Sequence, residues 1–516
     1  GISHAEMIFM SETANATTGG GSTLVKSIDW KQGVIIAMGV PILILPSIFD
    51  LNAVGYAFTI IIWTLSVIQG FLQNMAIGEM SAALEVPGIG ACAQTILGCK
   101  KGYKGKVNWG KFLGAFTAWT YWFTWTPVIP IFTIMAGAYL QEFVPFLADV
   151  NSIALNLILG VLIYGLIIAT GSKGLEGGAR LGLVLAAVTI IPLFVIVLIP
   201  FFNGGFEMSY IVNEFLPPSW NWNIQDIMMI FGMFAVAQWS ACAWESAATY
   251  GAEYKEPGKN LPKALISCGL ICLVVYFLVS FSVYGCLGAA DQGYAWVNSA
   301  GETVYGVQGI GYATLVPVAV MDFGDIGSWI ALFLLVAGMV MLIQTAFLGS
   351  SRTLYFMAHS GNMPSILGRT NKNDAPIYAM IFQFIVGMCL IPLGTPGMIL
   401  AASSYGFSLA LGMAMVCFVK FRKDEHWADV RDKREYIAPK GWYYVAWGIM
   451  IYQFCFLIPG LTVYCVLNEG IGSLSVIIAI IILMIYIPIW LFLHHKDPDY
   501  IKQSGCKAEK GEECAE

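Results

Sequence analysis

The sequence predicts an all-α polytopic membrane protein, on three observations. The 516 residues are 58% hydrophobic and only 11% charged, with a mean hydropathy of +0.73. Apolar stretches long enough to cross a bilayer recur along the chain, and the cations between them fall on one side only. Soluble domains carry about a quarter charged residues, so an ordinary globular class is excluded, whereas about 20 apolar residues suffice to span a bilayer as helix.

Twelve such stretches are read between polar breaks, near 33–52, 56–85, 112–140, 152–170, 181–202, 224–250, 263–288, 326–358, 375–393, 397–420, 443–466 and 471–494. In this partition all 26 Lys and Arg residues lie on one face: Lys26 and Lys31, the group from Lys100 to Lys111, Lys173 and Arg180, Lys255 to Lys263, Arg352 to Lys372, Lys420 to Lys440, and Lys496 to Lys510. The opposite loops carry acids instead, among them Glu142, Asp149, Glu214, Asp291, Glu302, Asp322, Asp325 and Glu469. The positive-inside rule then makes both termini cytoplasmic. The formal charge of −6 adds little, because placement matters more than the sum. Gly1 to Gly21 reads as a disordered tail with no cleavable apolar signal.

The first span, Gly33 to Asp50, contains Gly39, Pro41 and Pro46. Proline removes a backbone donor and clashes with the preceding turn, and glycine loosens it. A helix interrupted at mid-depth exposes amides and carbonyls that only protein or a water-lined cavity can satisfy, which is how transporters build substrate sites. A simple proline kink is the plain alternative. In the sixth span the small run Ser240-Ala241-Cys242-Ala243 either unwinds or packs closely against a neighbour. Glu245 follows it inside the apolar stretch, where a carboxylate marks either a proton-exchange site or a static polar pair.

The external segments Phe201–Asn223 and Ala289–Asp325 are longer than connectors require and read as surface loops or covers over an entrance. Trp220, Trp222, Trp442 and Tyr443 fit the interfacial belt. The run Lys420 to Lys440 is a solvated loop or a contact for anionic lipid. The 12 cysteines are scattered without a CxxC pair and read as small apolar residues, Cys242, Cys268, Cys272, Cys389 and Cys417 among them, with Cys506 and Cys514 free in the tail.

Four stretches, in order, carry a family resemblance. They are Gly39-Val40-Pro41-Ile42 through Pro46, Glu79-Met80 through Pro87 to Gly90, Trp239 to Ser246 followed by Glu253, Pro257 and Pro262, and Ser351-Arg352-Thr353-Leu354 through Pro364 to Pro376. Together they resemble the signatures of the amino acid, polyamine and organocation (APC) transporter superfamily. The resemblance implies twelve transmembrane helices, ten of them in a five-plus-five inverted repeat with helices 1 and 6 discontinuous. It divides the chain into a cytoplasmic tail (1–30), a first repeat (31–202), a second repeat (203–420), peripheral helices 11 and 12 (421–495) and a C-terminal tail (496–516).

It further implies a substrate site at Gly39, Val40, Pro41, Ile42, Tyr121, Ile129, Trp239, Ser240, Ala241, Cys242 and Ala243. By comparison with arginine/agmatine antiporters of the superfamily, Trp239 stands at a gating position, Glu245 at a proton-sensing one and Tyr121-Trp122 at a Tyr-Trp pair of the third helix. Ile129 replaces a guanidinium-binding asparagine, which argues against arginine or agmatine. Pro41 and Ala243 replace signature glycines, and Thr189 stands where some relatives carry a coupling lysine.

The function expected is secondary transport of an amino acid or small amine by alternating access, with a polyamine or organocation transporter, or a non-transporting sensor on the same scaffold, as alternatives. A multi-pass plasma (inner) membrane protein with both termini cytoplasmic is expected, taking a small-molecule substrate and the lipid bilayer as partners, with a homodimer left open. No cofactor and no nucleic-acid partner is expected, because membrane orientation explains the basic loops. An enzyme is not expected: His4, His359, His426 and His494-His495 sit at ends and tails, and no GxxxxGKS/T phosphate loop is present.

Overall fold

Backbone amides and carbonyls have no water to bond with in hydrocarbon, so a chain this apolar must satisfy them within itself, as helix. The computed structural model does so, and describes residues 24–98, 109–289, 293–298, 300–393 and 396–494. The tail Gly1–Gly21, the cations Lys100 to Lys106, Asp291, His495, the tail from Lys496 and the thiols Cys506 and Cys514 lie outside the described residues.

The principal helices are α1 (Trp30–Ile36), α2 (Gly39–Ile42), α3 (Ile44–Gly55), α4 (Thr59–Leu84), α5 (Gly88–Gly98), α6 (Trp109–Trp125), α7 (Val128–Phe143), α8 (Ser152–Gly171), α9 (Leu175–Leu198) and α10 (Ile224–Ala241). A 3-10 segment, Ala243–Tyr250, follows α10. Then come α11 (Pro257–Leu287), α12 (Leu315–Phe323), α13 (Asp325–His359), α14 (Ile377–Leu390), α15 (Pro396–Lys423), α16 (Trp442–Ile451), a π-helical segment Tyr452–Leu457, α17 (Ile458–Glu469) and α18 (Leu474–His494). The external segment before α12 holds a small antiparallel hairpin, Ala295–Val297 paired with Thr303–Tyr305.

Among the described residues, ten helical runs are long and apolar enough to cross a membrane. One of them, Trp30–Leu84, is a hairpin. It reverses at Tyr56, whose φ of 49° ends α3, and the ammonium of Lys26 ahead of α1 meets the carboxylate of Glu85 beyond α4 at 2.7 Å. At 14 residues, α14 is shorter than a usual span. Leu183, Val184 and Ile191 on α9, and Ile480, Ile481 and Phe492 on α18, point outward and exposed, as side chains facing lipid would.

The structure sharpens the expected interruptions. The first span breaks on both sides of Gly39–Ile42, at Ala37-Met38 and at Leu43, instead of only at Pro41. The third span is also divided, with α6 ending at Trp125 and α7 starting after Pro127, a break the sequence reading did not anticipate. In the sixth span the helix ends at Cys242 and tightens into the 3-10 segment.

Two carbonyls at the interruption of the first span accept from side chains of neighbouring helices. The Thr345 hydroxyl of α13 donates to the Ile36 carbonyl at 2.7 Å, and the Tyr276 hydroxyl of α11 donates to the Val40 carbonyl at 3.0 Å. Gly39 permits this approach, since a Cβ there would collide with Thr345 and the α13 backbone at Met341. A Thr345→Val variant keeps the shape and orphans the Ile36 carbonyl, so thermal melting in detergent should show a loss of about 1–3 kcal/mol.

Candidate functional site

The Gly39–Ile42 turn lies beside both the end of α10 and the 3-10 segment, so the first and sixth interruptions adjoin. At the second of them, Cys242 is fastened to α4 by two bonds. The Asn74 amide donates to its carbonyl at 3.1 Å, and its thiol donates to the Ser66 carbonyl at 3.0 Å. Ser240 turns its hydroxyl back onto the Ala237 carbonyl. Val40, Pro41, Ile42, Ala241 and Ala243 are all fully buried beside these breaks.

Glu245 is fully buried in the 3-10 segment. Tyr121 on α6 donates its hydroxyl to Glu245 Oε2 at 2.8 Å, while Oε1 has no protein partner. Among the described residues the only side-chain bond to this carboxylate therefore comes from a neutral group, in a setting where burying an unpaired charge is expensive. The substitution Glu245→Gln would preserve size and a hydrogen-bonding group while removing the exchangeable proton.

Trp239 lies one turn before the break and is 3% exposed. Its ring stacks near Trp125 (centroids 6.4 Å, interplanar angle 28°) and beside Phe132, also at 6.4 Å. Trp125 in turn meets Tyr121 and Phe407 edge-on. These five rings form an apolar wall reaching Glu245 through Tyr121. Trp125, Phe132 and Phe407 were not singled out from the sequence. Trp125 was foreshadowed by its position four residues after Tyr121 on one helical face, whereas Phe407 belongs to a remote helix and gave no local signal.

Other expected members point elsewhere. Trp122 packs on Trp119 and Phe382, on the flank where Trp119 stacks on Tyr486 of α18, so the Tyr121-Trp122 pair diverges. Ile129 lies against Gly387 of α14, and its carbonyl accepts from Tyr164. Trp244 does not constrict the breaks. It inserts between α4 and α11, tilted against Phe71 with centroids 4.8 Å apart, in a groove opened by Gly70 and Gly269. Thr189 is buried and donates to the Leu185 carbonyl within its own helix.

The conspicuous acids of the four sequence motifs gather on the Lys/Arg-rich side. Glu253 pairs bidentately with Arg352 at 3.0 and 3.2 Å, both buried. The Glu253 carbonyl also accepts the amides of Ser27 and Ile28, tying the chain ahead of α1 to the exit of the sixth span. Glu79 at the end of α4 receives both arms of Arg422 at 2.8 Å and the amide of Ala438 at 3.0 Å, with Arg434 at 3.8 Å. On the opposite side Tyr464 donates to the Asp50 carbonyl, and Tyr139 donates to the carbonyl of Tyr312.

The two adjoining broken helices match the discontinuous helices 1 and 6 that the resemblance implied, and a comparison with known families decides the class. The amino acid permease family profile matches residues 28–494. The chain belongs to the amino acid permease family. Among relatives of this permease, it is 25% identical over 339 residues to an arginine/ornithine antiporter of Latilactobacillus sakei, covering 63% of this chain and 65% of that protein. It is 24% identical over 458 residues to a general amino-acid permease of Candida albicans, covering 82% and 68%. A D-serine/D-alanine/glycine transporter of Escherichia coli is 23% identical over 348 residues, covering 64% and 68%. The chain thus spans just under two thirds of the antiporter's length. Among the described residues no group of His, Cys, Asp and Glu is arranged to hold a metal ion.

A Glu253→Gln variant of this permease would leave the Arg352 guanidinium buried without a counter-charge. Its melting temperature should fall, with a stability loss of about 3–5 kcal/mol, and an unchanged melt would show that the pair contributes nothing.

Proposed function

We propose that this permease is a secondary transporter that moves an amino acid or related small amine across the plasma membrane by alternating access, with both termini cytoplasmic. Family membership supports the class. The observation that carries the mechanism is the adjacency of two interrupted helices beside a buried carboxylate with one unpartnered oxygen. The reading takes the Lys26–Glu85 hairpin as two spans and α14 as a crossing element, which gives twelve spans and a five-plus-five repeat over 31–420.

In this reading the substrate sits between the Gly39–Ile42 turn, the Ser240–Ala243 break and the aromatic wall of Tyr121, Trp125 and Trp239. Pro41 has no amide to offer a substrate carboxylate, and the Val40 amide is taken by the Ala37 carbonyl at 3.1 Å, so in this reading the recognising donor of the turn is the amide of Gly39. Trp239 and its stacked neighbours form the barrier that must move for the substrate to pass. Glu245 exchanges a proton during the cycle, because Tyr121 holds one oxygen and leaves the other free. The arginine pairs at Glu253 and Glu79 close the cytoplasmic side and must loosen when that side opens. Names of relatives support both cationic and small neutral amino acids as first substrates to test.

Reconstitution in liposomes tests this. Uptake of radiolabelled amino acids, screened first by thermal shift, should be saturable, since a selective ligand at 100 times its Kd stabilises the folded state by about 2.7 kcal/mol. A ligand-induced shift with no flux in any gradient would instead mark a sensor. Glu245→Gln should flatten the pH dependence of uptake while the protein remains folded, and a wild-type pH profile in that variant would remove its proton role. Trp239→Ala should slow transport at least tenfold, about 1.4 kcal/mol in the barrier; wild-type flux would count against a gate.

A further inference from the structure

The resemblance treats helix 11 as peripheral, yet it reaches the core at one polar point. Gln453 lies in the six-residue π-helical segment Tyr452–Leu457 and is fully buried. Its partner is Gln238, fully buried in the last turn of α10 and adjacent to Trp239. The two amides exchange both bonds, Gln238 donating to Gln453 Oε1 at 3.0 Å and Gln453 donating to Gln238 Oε1 at 2.7 Å. Gln238 also donates to Ser408 at 2.7 Å and accepts from Gln69 at 3.0 Å, so all its capacity for hydrogen bonds is used. Gln69 and Gln453 both reach Gln73, at 3.4 and 3.5 Å, which closes a ring of four glutamines over three helices.

A π-turn adds a residue to one helical turn and re-aims the side chains on it, and such turns concentrate at functional sites. A second contact, two turns away, makes the same pair of helices close. Gly232 of α10 and Gly460 of α17 approach so tightly that a Cβ on either would strike the other's backbone. The helical half of the sixth span is thus fastened to helix 11 by a backbone contact at one end and by a reciprocal amide pair beside the break. Wherever this half of the sixth span goes, helix 11 must go with it or release the amide pair.

We infer that Gln453 is a positioning residue that holds the Trp239–Cys242 end of the sixth helix in register through Gln238, so that the break opens at Cys242 and no earlier. The transport consequence rests on the reading given above, but the structural one does not. In the Gln453→Leu variant the amides of 239–246 should exchange hydrogen about tenfold faster than in the wild type, the factor expected for one net buried hydrogen bond, while 224–236 stay protected. The uptake KM should rise by a similar factor with a smaller change in kcat.

Where the single variant does not fold, the double variant Gln238→Leu/Gln453→Leu removes the reciprocal pair together and leaves no half of it orphaned; Gln69 keeps its bond to Gln73, and Ser408 loses the one it accepts from Gln238. It should show the same faster exchange at 239–246. Wild-type exchange there, in either folded variant, would overturn the proposal, because close packing alone would then position the break. If the wild-type protein transports nothing, the transport reading fails, and the exchange measurement still decides the role of Gln453.

Discussion

The structure depends on one constraint: a backbone group released from a helix inside hydrocarbon must be given another partner. The first span releases the carbonyl of Ile36, which Thr345 takes up, and Tyr276 adds a second donor to the carbonyl of Val40, which keeps only the tighter bond from Leu43. In the sixth, the carbonyl of Cys242 keeps a 3.3 Å bond from Glu245, and Asn74 adds a donor at 3.1 Å. These donors come from α13, α11 and α4, so the helices around the breaks make the breaks permanent. Gly39, which looks in sequence like a source of slack, is there so that α13 can come close enough to donate.

The same constraint divides the buried carboxylates into two kinds. Glu79 and Glu253 each have a bidentate arginine, which offsets much of the cost of leaving water and makes them ties between segments. Glu245 has one hydroxyl bond and a free oxygen. A carboxylate held this loosely is a poor structural tie and a good place for a proton to come and go. The three acids of the same chain thus divide into two tied to arginine and one left with an unpartnered oxygen.

Helix packing supplies the remaining precision. Trp244 needs both Gly70 and Gly269 to enter its groove, and α10 needs Gly232 facing Gly460 to lie against α17. Such close approaches align the glutamine ring so that the amides of Gln238 and Gln453 satisfy one another. A helix at the edge of the sequence pattern thereby acquires a hold on the centre of the molecule.

Composition, periodic apolar runs and the one-sided cations determined by themselves that this chain is a polytopic helical membrane protein, because the bilayer imposes those features on any such sequence. The resemblance carried by Gly39–Pro46, Glu79–Gly90, Trp239–Pro262 and Arg352–Pro376 pointed to the transporter family that the comparison then showed. The first break was legible because proline and glycine carry local backbone consequences, and Glu245 stood out because a carboxylate in an apolar run has no local excuse. Only the tertiary structure decided where Trp244, Trp122 and Ile129 point, that Tyr121 holds Glu245, which arginine meets which acid, and that Gln238 meets Gln453. Those pairs are separated by many residues and made by helices crossing in space, so no local spacing could encode them.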